Sequence, residues 1–195
     1  MFRISVCLIA MALPFAARAA PESYSFDPYH TFCHFAVSHL GFSTLWGRFD
    51  KTGGKIAIDR AAKSGSLEIT VQTASVSTGD SERGSRPRSR DEHLRSSDFL
   101  NVAEFPTMTY KAKQLKFNGE TLATVEGEIT LVGVTRPLTL TVDAWKCGQH
   151  PVSKREMCGG NANGQLKRSD FGMKFVQSLA GDDYRLFIEF EAYRD

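Results

Sequence analysis

The stretch from His30 to Phe49, HTFCHFAVSHLGFSTLWGRF, constrains the fold more than any other part of the chain. It reads as two strands folded back on each other, with side chains alternating between two faces. Cys33, Phe35, Val37 and His39 share one face, and Phe32, His34, Ala36 and Ser38 the other. Gly41 interrupts this order before Phe42, Leu45, Trp46 and Phe49. Period-two patterning belongs to half-buried strands, and an embedded glycine to a tight corner or bulge. A long strand pair bent in this way is how a sheet begins to curl into a barrel.

The same period recurs downstream. Leu67, Ile69 and Val71 alternate with Glu68, Thr70 and Gln72, giving one apolar and one wet face. In TRPLTLTVDAW, Leu138, Leu140, Val142 and Ala144 oppose Thr139, Thr141 and Asp143. At the C-terminus Tyr184, Leu186, Ile188, Phe190 and Ala192 oppose Arg185, Glu189 and Glu191; Phe187 breaks the polar face, a sign that the outer surface is partly covered there. Strands are expected over 24–27, 55–59, 67–73, 107–117, 124–132, 135–146, 162–170 and 183–193. Asn118-Gly119 and Val132-Gly133 suit hairpin turns. Together with the opening pair this predicts an all-β chain of about eight strands. A closed antiparallel barrel is favoured over an open sheet, whose edges would need protection.

The strand signal stops between 79 and 90. GDSERGSRPRSR lacks periodicity and carries Arg83, Arg86, Arg88 and Arg90. It reads as a surface loop, or as a basic finger touching anionic lipid head groups at a membrane surface. DEHLRSSDFL, 91–100, is the one helix-like segment. Asp91 is placed to cap it, Leu94 to anchor it, and Phe99 and Leu100 to plug something apolar.

The chain opens with MFRISVCLIAMALPFAARAAP: a basic start, a short apolar run, and small residues before a cut after Ala19. This is the form of a secretory signal peptide, and the run is too short to span a bilayer. One soluble domain over 20–195 is expected, exported to the periplasm. The formal charge of +2 equals the two arginines of the leader, Arg3 and Arg18, so the mature chain is near neutral and charge gives no support to a nucleic-acid role. Export implies an oxidising compartment. Of the mature cysteines, Cys147 and Cys158 flank a Gly/Pro/charge-rich segment, and a disulfide between them is predicted. Cys33 is expected to stay reduced on a buried face.

The polar residues form no recognisable catalytic constellation. His30 and His34 share a strand face but lie roughly 13 Å apart at ~3.3 Å per residue, too far to share a zinc, so no metal site is expected. The chain has no G-x-S-x-G elbow, no G-x-G-x-x-G and no P-loop. His93 near Asp91 and Asp98 makes no triad by nearness in sequence, and Glu126 with Glu128 reads as solvent-facing. What converges is apolar, and it fits either a solid core or a ligand cavity, since eight-stranded barrels sit at the size where both occur.

In order along the chain, several motifs resemble the YceI-like family of secreted, lipocalin-like polyisoprenoid-binding proteins. They are His30 with Phe32-Cys33-His34-Phe35, His39-Leu40-Gly41-Phe42-Ser43 and Gly47-Arg48-Phe49. Then come RDEHLRSSDF (90–99), Phe105-Pro106, Gly127-Glu128-Ile129-Thr130-Leu131, Gly133-Val134-Thr135-Arg136-Pro137-Leu138 and Arg168-Ser169-Asp170-Phe171-Gly172-Met173. The arginine-rich stretch and the Cys147/Cys158 pair depart from the family pattern. The resemblance implies an extended barrel with a tunnel for a long isoprenoid, such as a quinone tail or lipid carrier, and no catalysis or cofactor of its own. Inward parity assigns that tunnel to Phe35, Val37, His39, Leu67, Ile69, Val71, Met108, Tyr110, Ile129, Leu131, Leu138, Leu140, Val142, Leu186, Ile188 and Phe190, with Tyr110, His39 or Asp170 orienting a polar head. The competing readings are an enzyme acting on a lipid inside the barrel and a stress-response protein that acts through its surface. Oligomeric state is not legible.

Overall fold

The computed structural model describes residues 20–177 and 179–195; the leader predicted over 1–19 lies outside them. Eleven strands form one antiparallel sheet: β1 (Glu22–Phe26), β2 (Phe32–His39), β3 (Ser43–Phe49), β4 (Thr52–Asp59), β5 (Ser64–Gln72), β6 (Val76–Ser77), β7 (Thr107–Asn118), β8 (Thr121–Leu131), β9 (Val134–Gln149), β10 (Glu156–Lys167) and β11 (Asp183–Arg194). β1 pairs with both β4 and β11, so the order β1-β4-β5-β7-β8-β9-β10-β11 closes on itself as an eight-stranded, lipocalin-like barrel. Closure leaves these eight strands without a free edge.

β2, β3 and β6 lengthen this wall. β2 follows β1 along the same side of β11, β3 runs into β4, and β6 follows β5 after one 3₁₀ turn at Thr73–Ser75. The three interruptions sit side by side. Asp50 N donates to Ser75 O (3.1 Å) and Gln72 N to Lys51 O (3.0 Å). Between β1 and β2, where Pro28 has no N–H to give, the fully buried Thr31 repairs the ladder. Its hydroxyl donates to Glu191 O (3.1 Å) and accepts from Glu191 N (3.3 Å).

The alternation read from sequence is carried into the bore by Leu67 and Val71, Leu138, Leu140 and Val142, and Leu186 and Ile188, all buried. On β9 it does not run through. Val142 pairs with Ala162, but Ala144 pairs with Asn161, so a bulge at Asp143 shifts the register. Ala144 consequently lies exposed, and Trp145 and Cys147 take the inward positions. Trp46 is a second departure: it points outward and stacks on Phe187, ring centroids 5.2 Å apart, which accounts for the apolar break in the outer face of β11.

The tenth strand starts at Glu156, six residues earlier than expected, because the cysteines face each other across paired strands instead of tethering a loop. Cys147 and Cys158 form the predicted disulfide, Cα–Cα 4.0 Å. The helix is also shorter than 91–100: α1 covers Arg90–Arg95. Ser89, not Asp91, caps it. Ser89 Oγ accepts from Glu92 N (3.2 Å) while Ser89 N donates to Glu92 Oε2 (2.9 Å), a reciprocal capping box.

A candidate ligand cavity and its mouth

The two ends of the barrel differ. Where β1 meets β4 and β11 the bore is filled by side chains shut off from solvent; Tyr24, Ile58 and Leu122 are at most 1% exposed. The other end holds an apolar cavity of about 70 Å³. Its wall is Cys33 and Phe35 on β2, Phe49 on β3, Val76 on β6, Met108 on β7, Ile129 and Leu131 on β8, Leu166 on β10, and Tyr184 and Leu186 on β11.

The cap of the cavity comes from outside the strands. Asp91, buried, accepts from Thr78 N (2.8 Å) and Thr78 Oγ1 (2.6 Å), pinning α1 beside the end of β6. That seats Leu94 in the cavity lining, and the chain then delivers Phe99 and Leu100 to it. From the opposite side Arg168 and Met173 complete the lining. Arg168 is 1% exposed; it donates to Gly181 O (3.1 Å), Met173 O (3.2 Å) and Ala180 O (2.9 Å), and its guanidinium lies over the Phe99 ring at 5.4 Å. One buried cation thus holds the returning loop onto the cap.

Next to the cavity lies a cleft that opens to solvent. Phe35, Leu94, Phe99 and Tyr184 border both spaces, and the cleft is further lined by Val37, His39, Leu40, Leu45, Arg90, His93, Val176 and Leu179. Burial pushes the Cys33 thiol up to about 12, so the free thiol stays protonated, and it raises the Tyr184 hydroxyl as well. The mouth thus sets His39, Arg90 and His93 among apolar side chains, and the space behind it is lined almost wholly by apolar ones.

The arginines do not form a bare basic finger. Arg83 makes a two-pronged contact with Glu92, and Arg86 another with Asp80 (2.7 and 2.6 Å). Arg90 lies 3.6 Å from the same Asp80. Arg88 donates to Asp98 Oδ2 (2.7 Å), with His93 Nε2 3.0 Å from that oxygen. The Arg83 contact holds the Glu92 carboxyl down at about 2, and Arg88 lowers Asp98.

Of the residues assigned to a tunnel from sequence, Phe35, Met108, Ile129, Leu131 and Leu186 line the cavity, and Val37 and His39 line its mouth. Leu67, Val71, Leu138, Leu140, Val142 and Ile188 are core residues outside the cavity lining, with Ile69 half-buried against them. Phe190 packs against Phe26 and Trp145 at 6.1 Å each. The Tyr110 hydroxyl is already engaged with Leu138 O (2.9 Å) and Val125 O (3.1 Å), and Asp170 is exposed. His30 and His34 hydrogen-bond to different carboxylates, Asp27 (2.9 Å) and Glu189 (3.0 Å).

The tunnel assignment left out Phe49, Val76, Leu166 and Tyr184 as lining residues, although alternation puts Tyr184 on the same face as Leu186 and Ile188. Arg168 and Met173 carried no parity signal at all, because they follow the end of β10.

A family model described as the YceI-like domain matches residues 24–192. A UPF0312 protein of Pseudomonas aeruginosa is 34% identical over 194 residues, covering 98% of this chain and 97% of its own. The crystal structure of Campylobacter jejuni YceI superimposes with a TM-score of 0.62 at 31% identity, over 81% of this chain and 90% of that one. A polyisoprenoid binding domain from Saccharophagus degradans, 18% identical, shares the fold with a TM-score of 0.64 over 89% of this chain and 99% of its own. The family model matching residues 24–192, together with a relative 34% identical over almost the whole chain, shows that the chain belongs to the YceI-like family.

Proposed function

We propose that this protein binds a long isoprenoid lipid, of quinone or polyprenyl type, and carries it through the periplasm without catalysing a reaction. The observation that carries the reading is the position of the cavity. It is apolar and lies inside one end of the barrel, and across Phe35, Leu94, Phe99 and Tyr184 it borders a cleft that also holds His39, Arg90 and His93. The tail would enter past these four side chains, and the head would rest in the cleft near His39, Arg90 and His93. The Saccharophagus domain, described as polyisoprenoid-binding, gives the same fold a ligand of this class.

The cavity has room for a few water-sized groups, so a multi-isoprene tail needs the interior to widen. Met108 and Met173 suit that, since unbranched thioether side chains repack at little cost. A lipid arriving from a membrane leaves surroundings as apolar as the cavity, so the exchange is close to balanced, as a carrier that must release its cargo requires. Arg83, Arg86 and Arg88 are given no part in lipid contact, because each already faces a carboxylate.

Native mass spectrometry of protein purified from its own periplasm should show co-purifying isoprenoid that exchanges with vesicles. Folded protein that carries no lipid and takes none from quinone-loaded vesicles would overturn the reading.

A further inference from the structure

The mouth is edged by large apolar side chains that stand partly or wholly exposed among the described residues. Leu40 and Phe42 form the tip of the β2–β3 turn, and Phe175, Val176 and Leu179 project from the loop facing it; Phe42 is 94% exposed and Leu179 51%. The two segments are joined into one rim. Leu40 N donates to Leu179 O (2.8 Å), Gly181 N donates to Ser38 O (2.8 Å), and His39 bridges Ala180. A contiguous exposed apolar surface of this kind marks an interaction site. Soluble chains otherwise keep Phe and Leu at loop tips to single, scattered positions.

We propose that this rim seats on the surface of a lipid bilayer, placing the mouth of the cavity against the membrane. Two observations select a bilayer over other occupants. The rim is continuous with the cavity: Leu40, Val176 and Leu179 line the same cleft as Phe35 and Tyr184, so a tail leaving the membrane there meets no water. Its charge is also one-sided. Residues 38–47 and 172–181 contain no Asp or Glu but carry Lys174, and Arg90 lies in the cleft between them. Anionic head groups attract cations and repel carboxylates at this range. Trp46, half-exposed four residues from Phe42, stands where an aromatic ring settles at a membrane interface. The inference rests on the carrier reading for its purpose, but its test is separate.

The test is flotation with vesicles of phosphatidylethanolamine and phosphatidylglycerol, comparing the wild type with Phe42→Asp. Phe42 is exposed and lines neither the cavity nor the cleft, so circular dichroism and thermal unfolding should match between the two proteins. The wild type should float with the vesicles. The variant should bind roughly tenfold or more weakly, as expected from replacing a large apolar contact with a carboxylate that anionic head groups repel. Its uptake of quinone from vesicles should slow in proportion, while uptake of the same quinone from detergent micelles stays unchanged. Equal flotation of the two proteins, or no flotation of the wild type, overturns the proposal. So does a rim-dependent dimer that ignores vesicles, which would give the patch to a second copy. A wild type that floats yet loads from neither source leaves the docking surface standing and removes the carrier reading.

Discussion

The ring of Phe35 fills the space that Gly47, its cross-strand partner, leaves empty: a methyl group on Gly47 would meet Phe35 Cζ at 2.3 Å. Phe35 is one of the four side chains between cavity and cleft, so this glycine sets the position of an entrance residue. Gly47→Ala should push the ring off its seat. Overpacking of this kind costs about 1–3 kcal/mol. We predict a matching fall in the denaturation midpoint and impaired lipid loading at temperatures where the variant is still folded. Unchanged loading would show that cargo does not pass Phe35.

Cys33 supplies a reporter inside the cavity wall. With its thiol pushed up to about 12, it should react slowly with N-ethylmaleimide at pH 8 in the folded protein. Cargo should slow the reaction further. Equal rates in loaded and stripped protein would place the lipid elsewhere.

The disulfide lies at the closed end, beside Tyr24 and Arg60, away from the cavity lining. Replacing both cysteines, Cys147→Ser with Cys158→Ser, should lower stability by about 3 kcal/mol if unfolded-chain entropy dominates. Lipid uptake should be unaffected in the folded fraction. A loss of uptake in folded, monomeric variant would mean that the two ends are coupled.

Acid should loosen the cap. Glu92 is held at about 2 by Arg83, below its usual value of 4.5, and Asp98 and Asp80 are lowered by Arg88 and Arg86. A lowered carboxyl stabilises the fold above its unfolded value, and that contribution is lost as pH falls through the folded one. The window is therefore from about 4.5 down to about 2 for Glu92. All three groups sit on the segment around α1. Near-ultraviolet circular dichroism of Phe99 and its neighbours should change across that window, and Arg83→Ala should shift the change to higher pH. A cap signal insensitive to Arg83→Ala would deny this pair a part in holding the cap.

Strand period made the wall legible: Leu67 and Val71, Leu138 to Val142, and Leu186 and Ile188 point where alternation puts them. The hairpin at Val132-Gly133 was legible too, since both residues take positive φ (48° and 71°) and glycine favours that region. The bulge at Asp143 was not, because an extra residue in a strand leaves no mark in composition. It turned Ala144 out and Trp145 in. The cavity was only half legible. Parity says which face a residue takes but not how far along the bore it lies, so cavity residues such as Met108 and Leu131 were pooled with Leu140 and Val142 outside it. Part of the cap was legible, since Leu94, Phe99 and Leu100 line the cavity where the helix-like segment was expected to plug something apolar, but Arg168 escaped for another reason. Arg168 is charged, and its burial depends on three backbone carbonyls of a loop that strand patterns do not describe.

The breaks between β1 and β2, β3 and β4, and β5 and β6 have a mechanical consequence. A cask with unbroken staves is rigid; one scored at the same height on three neighbouring staves flexes along the score. Here the score crosses 27–31, Asp50-Lys51 and 73–75, and the panel above it bears Cys33, Phe35, Phe49 and Val76, the cavity lining from β2, β3 and β6. The far side, β7 to β11, is long continuous strand. We predict that swelling around cargo is hinged, with the panel swinging outward while the opposite wall stays fixed. Amide exchange should then change on loading across β2, β3 and β6 and leave β8 and β9 as they were; uniform change around the ring would mean that the barrel dilates evenly instead.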